Sequence, residues 1–486
     1  MNSILLAGIA RALPGLAAPK PEAIVLMLDE KCVSASEGIR FHLNPAKKHP
    51  ENPVLLPGEP HQWDSLQVAW PGTVLYSARE GKFRCWYAGL DALQKDRDAN
   101  IWRIGYAESD DGIHWRKPDL EQVTQDGRRT NQLRPWSSDS YAPSRINFVF
   151  ENPFPDAPPS QRFGADWLEK EVAPSGPKGR RRSRRRFAWS PDGIHWTPAD
   201  LAHEMGDNVP FDWHQVLPDD PNRRFVAFVE GKMQPRSWDG RRVRQVGFLR
   251  GPGVETIPES KDAVLLTPEQ GIDEEIHFSS ASLVGDTIVM LFDSDRFANN
   301  PIHGDIRLAI STDGGRHFRR VHPRDAVVST GAKGMWDENL LVVTSSALQE
   351  VGDEIYIYYF GCPNVFNSWP EEYAAKSERR GSLLYPTYLG LATLPRDRYA
   401  YAAGAGTLTT HPISIGDAVW LNAHGDALEV TALDGSRKEA VRGRLGRERS
   451  RTIYRKVVWA GSSPLGNLRL RIRLSGSDKI YSIRCT

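Results

Sequence analysis

Four carboxylates open apolar, strand-like stretches in separate parts of the chain. They are Asp64 in "WDSLQVAW", Asp212 in "DWHQVL", Glu275 in "EIHFSSASLV" and Asp337 in "WDENLLVV". Acids at the starts of strands that share one axis meet at one end of it. Crowded like charges push their protonation states apart, so an acid and a base coexist at one pH. Cleavage of a glycosidic bond needs that set: a nucleophile or base, a protonated donor, and a third carboxylate that holds and tunes.

Each candidate has a second reading. Asp64 and Asp337 both follow Trp in matching repeats, and a repeated Asp also suits a structural task such as bonding backbone amides. Asp212 competes with Asp207, and Glu275 with Asp273 and Glu274. His214 and His277 stand two residues after Asp212 and Glu275, on the same face of an extended strand. Both suit a substrate hydroxyl or a satisfied core position. Trp63, Trp70, Trp213 and Trp336 suit stacking on a sugar or packing between strands. No EF-hand or zinc spacing occurs, so no metal or other cofactor is expected.

The elements that must position these residues announce themselves by repetition. "SDDGIHW" at Ser109–Trp115 returns as "SPDGIHW" at Ser190–Trp196. Ser closes a strand, Asp-Gly makes a tight turn, and Trp anchors the next strand. Weaker copies put Arg250, Ser311 and Thr393 in the Ser position. Neighbouring copies are roughly 60 to 80 residues apart, a period that suits four-stranded blades with variable loops. The reading is an all-β chain built as a five-bladed β-propeller. Its blades are expected near 63–115, 140–198, 212–257, 275–321 and 336–396. Two blades carry a further shared pattern: Trp-Asp, an apolar strand, a charged turn, and an aromatic strand ending in Gly ("FRCWYAG", "IYIYYFG"). "WPEEYAAKSERR" is expected to add a turn or two of helix in the last blade. From 404 to 486, alternating apolar and polar residues with Gly/Asp turns predict a C-terminal β-sandwich. The propeller is expected over 22–400.

Composition narrows the partners. A chain of 486 residues with 40% hydrophobic and 25% charged residues and net charge +1 has no global field to draw it to nucleic acid or membrane. The six arginines of "GRRRSRRRF" (Gly179–Phe187) read as a solvated hairpin edge rather than an anion patch. Cys32, Cys85, Cys362 and Cys485 are scattered, without metal-type pairs, and read as buried thiols. The stretch 1–21 has an apolar run and "LAA", the outline of a signal or leader segment, but lacks an early charge and is interrupted by Arg11. Export and cytoplasmic residence are both left open, as is the oligomeric state.

The phrases "HPENPVLL", "FRCWYAG", "YAESDDGIHWRKP", "FAWSPDGIHW", "WDENLLVV", "DEIYIYYFG" and "GTLTTHPISI" resemble the five-bladed propeller glycosidases of the invertase, levansucrase and arabinanase superfamily. More closely, they resemble bacterial relatives that join such a propeller to a β-sandwich. The resemblance spans nearly the whole chain from about residue 22. It implies a carbohydrate substrate and hydrolysis of O-glycosidic bonds, in furanosides or polysaccharide side chains. By position it implies Asp64 as nucleophile or base, Asp212 as the stabilising carboxylate and Glu275 as the acid. The family's "NDPNG", "RDP" and "EC" phrases are absent, and "AWPGT" stands where the first would lie. A phosphorylase of the same superfamily and a non-catalytic carbohydrate-binding propeller are the alternatives. Clustered carboxylates favour hydrolysis; dispersed ones with exposed Trp favour binding.

Overall fold

The computed structural model describes residues 23–90, 103–134, 136, 140–152, 157–172, 182–205, 211–219, 224–231, 240, 245–251, 264–296, 303–363, 386–425, 428–449 and 453–486. Among them the structure is strand and turn, with two short 3₁₀ turns at Glu30–Cys32 and Pro159–Gln161. The segment expected to form a helix, 369–380, lies outside the described residues.

Between 67 and 395 the strands form successive antiparallel units, each of neighbouring strands joined by hairpins. One holds Gln67–Ser77, Lys82–Leu90 and Arg103–Ser109, with Trp115–Arg116 and Gln132–Leu133 both pairing with the last of these. The next are Tyr141–Glu151 to Thr197–Met205 and Phe211–Asp219 to Val264–Leu266. Strands Ser279–Val284, Thr287–Arg296, His303–Ser311 and Arg319–Val321 follow. A single parallel pair, Gly304 with Leu340, joins them to Leu340–Val351, Glu354–Cys362 and Tyr388–Pro395. The tight hairpins are dictated locally. Val284 pairs with Thr287 and Val351 with Glu354, leaving two-residue turns in which Gly285 and Gly352 take φ of 57° and 61°.

The first strands of the units pack in cyclic order. Gln67–Ser77 lies against Tyr141–Glu151, which lies against Phe211–Asp219, then Ser279–Val284, then Leu340–Val351, which returns to Gln67–Ser77. Short polar side chains let these strands approach and bond. Ser345 Oγ donates to the Asn147 carbonyl (2.8 Å), and Thr73 Oγ1 accepts from the Val149 amide (3.0 Å). Residues just before Gln67, Ser279 and Leu340 lead into the first strands of three units. Asp64, Glu275 and Asp337 lie there.

The repeated phrase proves to be a joint between units. Asp192 Oδ1 accepts from the amides of Ile194 and His195 (both 2.8 Å), and Ser190 Oγ accepts from the Gly193 amide (2.8 Å). Gly112 and Gly193 have φ of 79° and 82°. The Gly193 carbonyl accepts from Trp86 Nε1 of the preceding unit (2.8 Å), and the Gly112 carbonyl accepts from Tyr358 Oη (2.9 Å). Trp86 and Tyr358 are matching positions of the two aromatic strands. The turn is thus closed at its glycine, and Trp196 is buried against Trp167 of its own unit.

Two expectations change. Strands Ala23–Leu26, Val33–Glu37 and Arg40–Leu43 join those from Ala400 to Cys485 in one 12-stranded set. Met27, Phe41, Leu421, Val430, Ile472 and Ile483 share its core. Residues 23–43 therefore belong with the C-terminal strands, not with the expected 22–400 unit, and that set begins at Ala400 rather than 404. Alternation fixes which face of a strand is buried, but not which distant edge it completes. Lys47–Lys48, also N-terminal, pairs with Tyr388–Pro395 and adds an outer strand there. The arginine run is not a solvated edge either, where it is described. Arg184 and Arg186 bond the buried Glu169, and Arg185, 4% exposed, faces Asp166.

Candidate active site

Asp64 and Asp337 occupy copies of one bracket. The Trp63 ring stacks on Tyr87 with centroids 5.9 Å apart, and Trp336 stacks on Tyr359 at 5.8 Å. Tyr87 Oη donates to Asp64 (2.7 Å), and Tyr359 Oη donates to Asp337 (3.3 Å). Lys117 Nζ reaches Asp64 at 2.5 Å, and Lys48 Nζ reaches Asp337 at 2.5 Å. Gly89 and Gly361, which end the aromatic strands, lie beneath the Trp rings, where a Cβ would sit 2.3 Å from ring carbon. Burial, then the adjacent carboxylate, pushes both phenols far above their usual range, so each stays a proton donor.

The two brackets line separate clefts. One, of about 720 Å³, is lined by Trp63, Asp64, Lys117, Arg128 and Arg129 among others. The second, of about 530 Å³, is lined by Lys48, His49, Trp336 and Asp337 among others. Glu275 and His277 line neither. Trp63 is buried and donates to Asn131 Oδ1 (2.8 Å), while Trp336 is half-buried.

A different set forms around Glu275. Its backbone pairs with Asp295 in both directions: the Asp295 amide donates to the Glu275 carbonyl (3.0 Å) and the Glu275 amide to the Asp295 carbonyl (3.3 Å). Residues directly opposed in this way project their side chains from one face. His277 is two residues on, and its Nδ1 lies 3.8 Å from Asp295. Asp293, two residues before Asp295, accepts from the His277 amide through Oδ1 (3.2 Å). Glu275, His277, Asp293 and Asp295 are all buried. Gly304 on the adjoining strand makes room for Asp295, since a Cβ there would meet its Oδ1 at 2.2 Å. The nearby acids are tied elsewhere. Asp273 binds Arg320 (2.7 Å) and Ser294 (2.9 Å), and Asp305 binds Arg307 (2.7 Å) and Arg296 (3.0 Å).

His277, Asp293 and Asp295 each offer a ligand atom, all within 4.8 Å of one another, so a cation is chemically admissible there. The structure therefore brings Glu275 and His277 together, and each Trp-Asp pair with its own lysine. Asp212, Trp213 and His214 fall on Phe211–Asp219, whose side chains lie outside the described residues, as does the side chain of Trp70. Asp207 lies outside them entirely. Asp293 and Asp295 are new. Their signal was "LFDSDR", two acids at i and i+2 closing an otherwise apolar strand.

No family model matches the sequence, and no curated protein matches it. Among solved structures, it aligns with an N-acetylgalactosamine deacetylase from F. plautii in complex with blood group B trisaccharide, at 13% identity and TM-score 0.44, covering 73% of this chain and 96% of that one. It aligns with a family 43 arabinoxylan arabinofuranohydrolase from Bacillus subtilis in complex with cellotetraose, at 12% identity and TM-score 0.40, covering 90% and 98%. A fructofuranosidase variant from Schwanniomyces occidentalis, complexed with fructosylnystose, aligns at 8% identity and TM-score 0.41, covering 91% and 98%.

Proposed function

We propose that this protein hydrolyses O-glycosidic bonds, with Glu275 as the proton donor and Asp295 as its partner carboxylate. The observation that carries the reading is their direct opposition, buried, beside the start of Ser279–Val284. Opposed residues place their Cβ atoms about 5 Å apart. Such a pair can supply one carboxylate that acts on the anomeric carbon, directly or through water, and one acid that protonates the leaving oxygen. His277, beside Asp295, orients it or bonds a sugar hydroxyl.

Asp212 opens the ring strand that packs beside Ser279–Val284, and it is the proposed third carboxylate. Asp64 and Asp337 we assign to bracing, because both are matched by Tyr and Lys in the same arrangement. The cyclic order of five first strands supports the five-bladed propeller reading, and the 12-stranded set is read as a sandwich. Furanosides or polysaccharide side chains are the proposed substrates, on the resemblance of the repeated phrases. Water is favoured over phosphate as acceptor, since Arg320, Arg307 and Arg296 are already engaged by Asp273 and Asp305. Hydrolysis is favoured over simple binding, since Glu275, Asp293 and Asp295 cluster and are buried.

The test is a screen of the purified protein on nitrophenyl glycosides and plant and microbial polysaccharides, alongside Glu275→Gln. Release of sugar from a polysaccharide, whose leaving oxygen needs protonation, that falls at least about 100-fold in the variant supports the reading. Release unchanged by the substitution overturns it.

A further inference from the structure

The charge of the chain is divided unevenly. Residues 404–486 hold 14 Lys and Arg against 7 Asp and Glu, a net +7, whereas residues 1–403 hold 48 against 54, a net −6. Part of that excess is gathered on one outward face of the C-terminal strands. Register places Arg473, Glu429, Arg444 and Val458 in one row across four strands, and Arg471, Thr431 and Arg442 in the next. The alternate residues Val430, Leu445, Ile472 and Leu474 turn inward to the core. Arg442, Arg444, Arg471 and Arg473 are all exposed and line a cleft of about 730 Å³. Arg442 is paired with Glu439, but Arg444, Arg471 and Arg473 make no ion pair among the described residues.

We infer that this cleft binds an anionic polysaccharide, independently of the site at Glu275. Along one strand the arginines are about 7 Å apart, and across two strand spacings about 10 Å, a grid of forked donors that grips separated carboxylate or sulfate groups. The cleft's volume suits a short run of sugars. Glu429, between Arg473 and Arg444, accepts from sugar hydroxyls and would repel an unbroken run of phosphates. Val458, 52% exposed, offers apolar contact to a ring face. A planar membrane or a duplex would not enter a concave cleft of this size.

The full-length protein is titrated with polygalacturonate, dextran sulfate, neutral dextran, phosphatidylserine–phosphatidylcholine vesicles and duplex DNA. Binding to polygalacturonate or dextran sulfate, weakened by salt and absent with neutral dextran, is expected, and the better of the two identifies the anion. Arg444→Ala with Arg471→Ala should weaken it about tenfold or more without altering the melting temperature. Arg473→Gln alone, an exposed single change, should weaken it in the same direction. Tighter binding to vesicles or duplex, equal binding to neutral dextran, or variants that bind as the native chain does would each overturn the inference.

Discussion

Asp64 is held by Lys117 and Tyr87 as Asp337 is held by Lys48 and Tyr359, and both carboxylates are almost fully buried. Neutralising either acid leaves a lysine facing an amide where it faced a charge. Asp64→Asn and Asp337→Asn should each cost about 3 kcal/mol in chemical denaturation, alike in both brackets. A much smaller loss at Asp64 would separate it from the bracing role. Acid titration tests other carboxylates. The hydrogen bond from Arg162, ahead of the opposing effect of burial and with further help from Arg84, holds Glu80 at about 2. At Asp313 burial raises the value, but hydrogen bonds from His317, Ser311 and backbone amides outweigh it and hold it at about 2. Both lie below the unfolded carboxylate range near 4, so their contribution is complete above it and is lost as pH falls from about 4 to 2. Glu80→Gln should flatten the fall in stability across that window, and an unchanged slope would count against it. At this scale the sequence was partly readable. Glu275 and His277 could be named from a strand start. Asp293 and Asp295 carried only the signal of two acids closing an apolar strand, and the antiparallel register that sets Asp295 opposite Glu275 leaves no local mark.

The element that organises the fold is the Ser-Asp-Gly turn with its aromatic partner. Gly193 has φ of 82°, and a Cβ there would lie 2.6 Å from Trp86, which donates to the Gly193 carbonyl. Gly81 has φ of 62° with nothing within 4 Å. Gly193→Ala should therefore cost about 2–4 kcal/mol, combining strain and overpacking, and Gly81→Ala about 1 kcal/mol. Equal melting temperatures for the two would deny the joint. The turn itself was legible, since Asp and Gly at that spacing serve a local backbone need. Its docking onto Trp86 and Tyr358 was not, although the repeated aromatic strands held both halves. A repeat declares that a position matters in each unit, while its partner in the neighbouring unit is set only by assembly.

On the scale of the molecule, the all-β class and the succession of hairpins followed from turn chemistry and alternation. The crossing of the first strands to the last did not. Ala23–Leu26 pairs with Lys479–Cys485, and edge pairing between strands so far apart in the chain leaves no local mark. A fragment of residues 400–486 should remain unfolded by circular dichroism, and adding a peptide of residues 23–44 should restore strand signal. A fragment that folds alone would contradict that dependence. The central claim concerns the buried pair in which Glu275 opposes Asp295. Its most direct test is a comparison of Glu275→Gln, Asp295→Asn and Asp64→Asn on a substrate found by the glycoside screen, with both a good and a poor leaving group. Glu275→Gln should keep much of its kcat/KM on the good leaving group, which needs little protonation, and lose it on the poor one. Asp295→Asn should lose turnover on both, while folded Asp64→Asn keeps it. The account is contradicted if Glu275→Gln and Asp295→Asn turn over both substrates as the native protein does, or if folded Asp64→Asn alone is inactive.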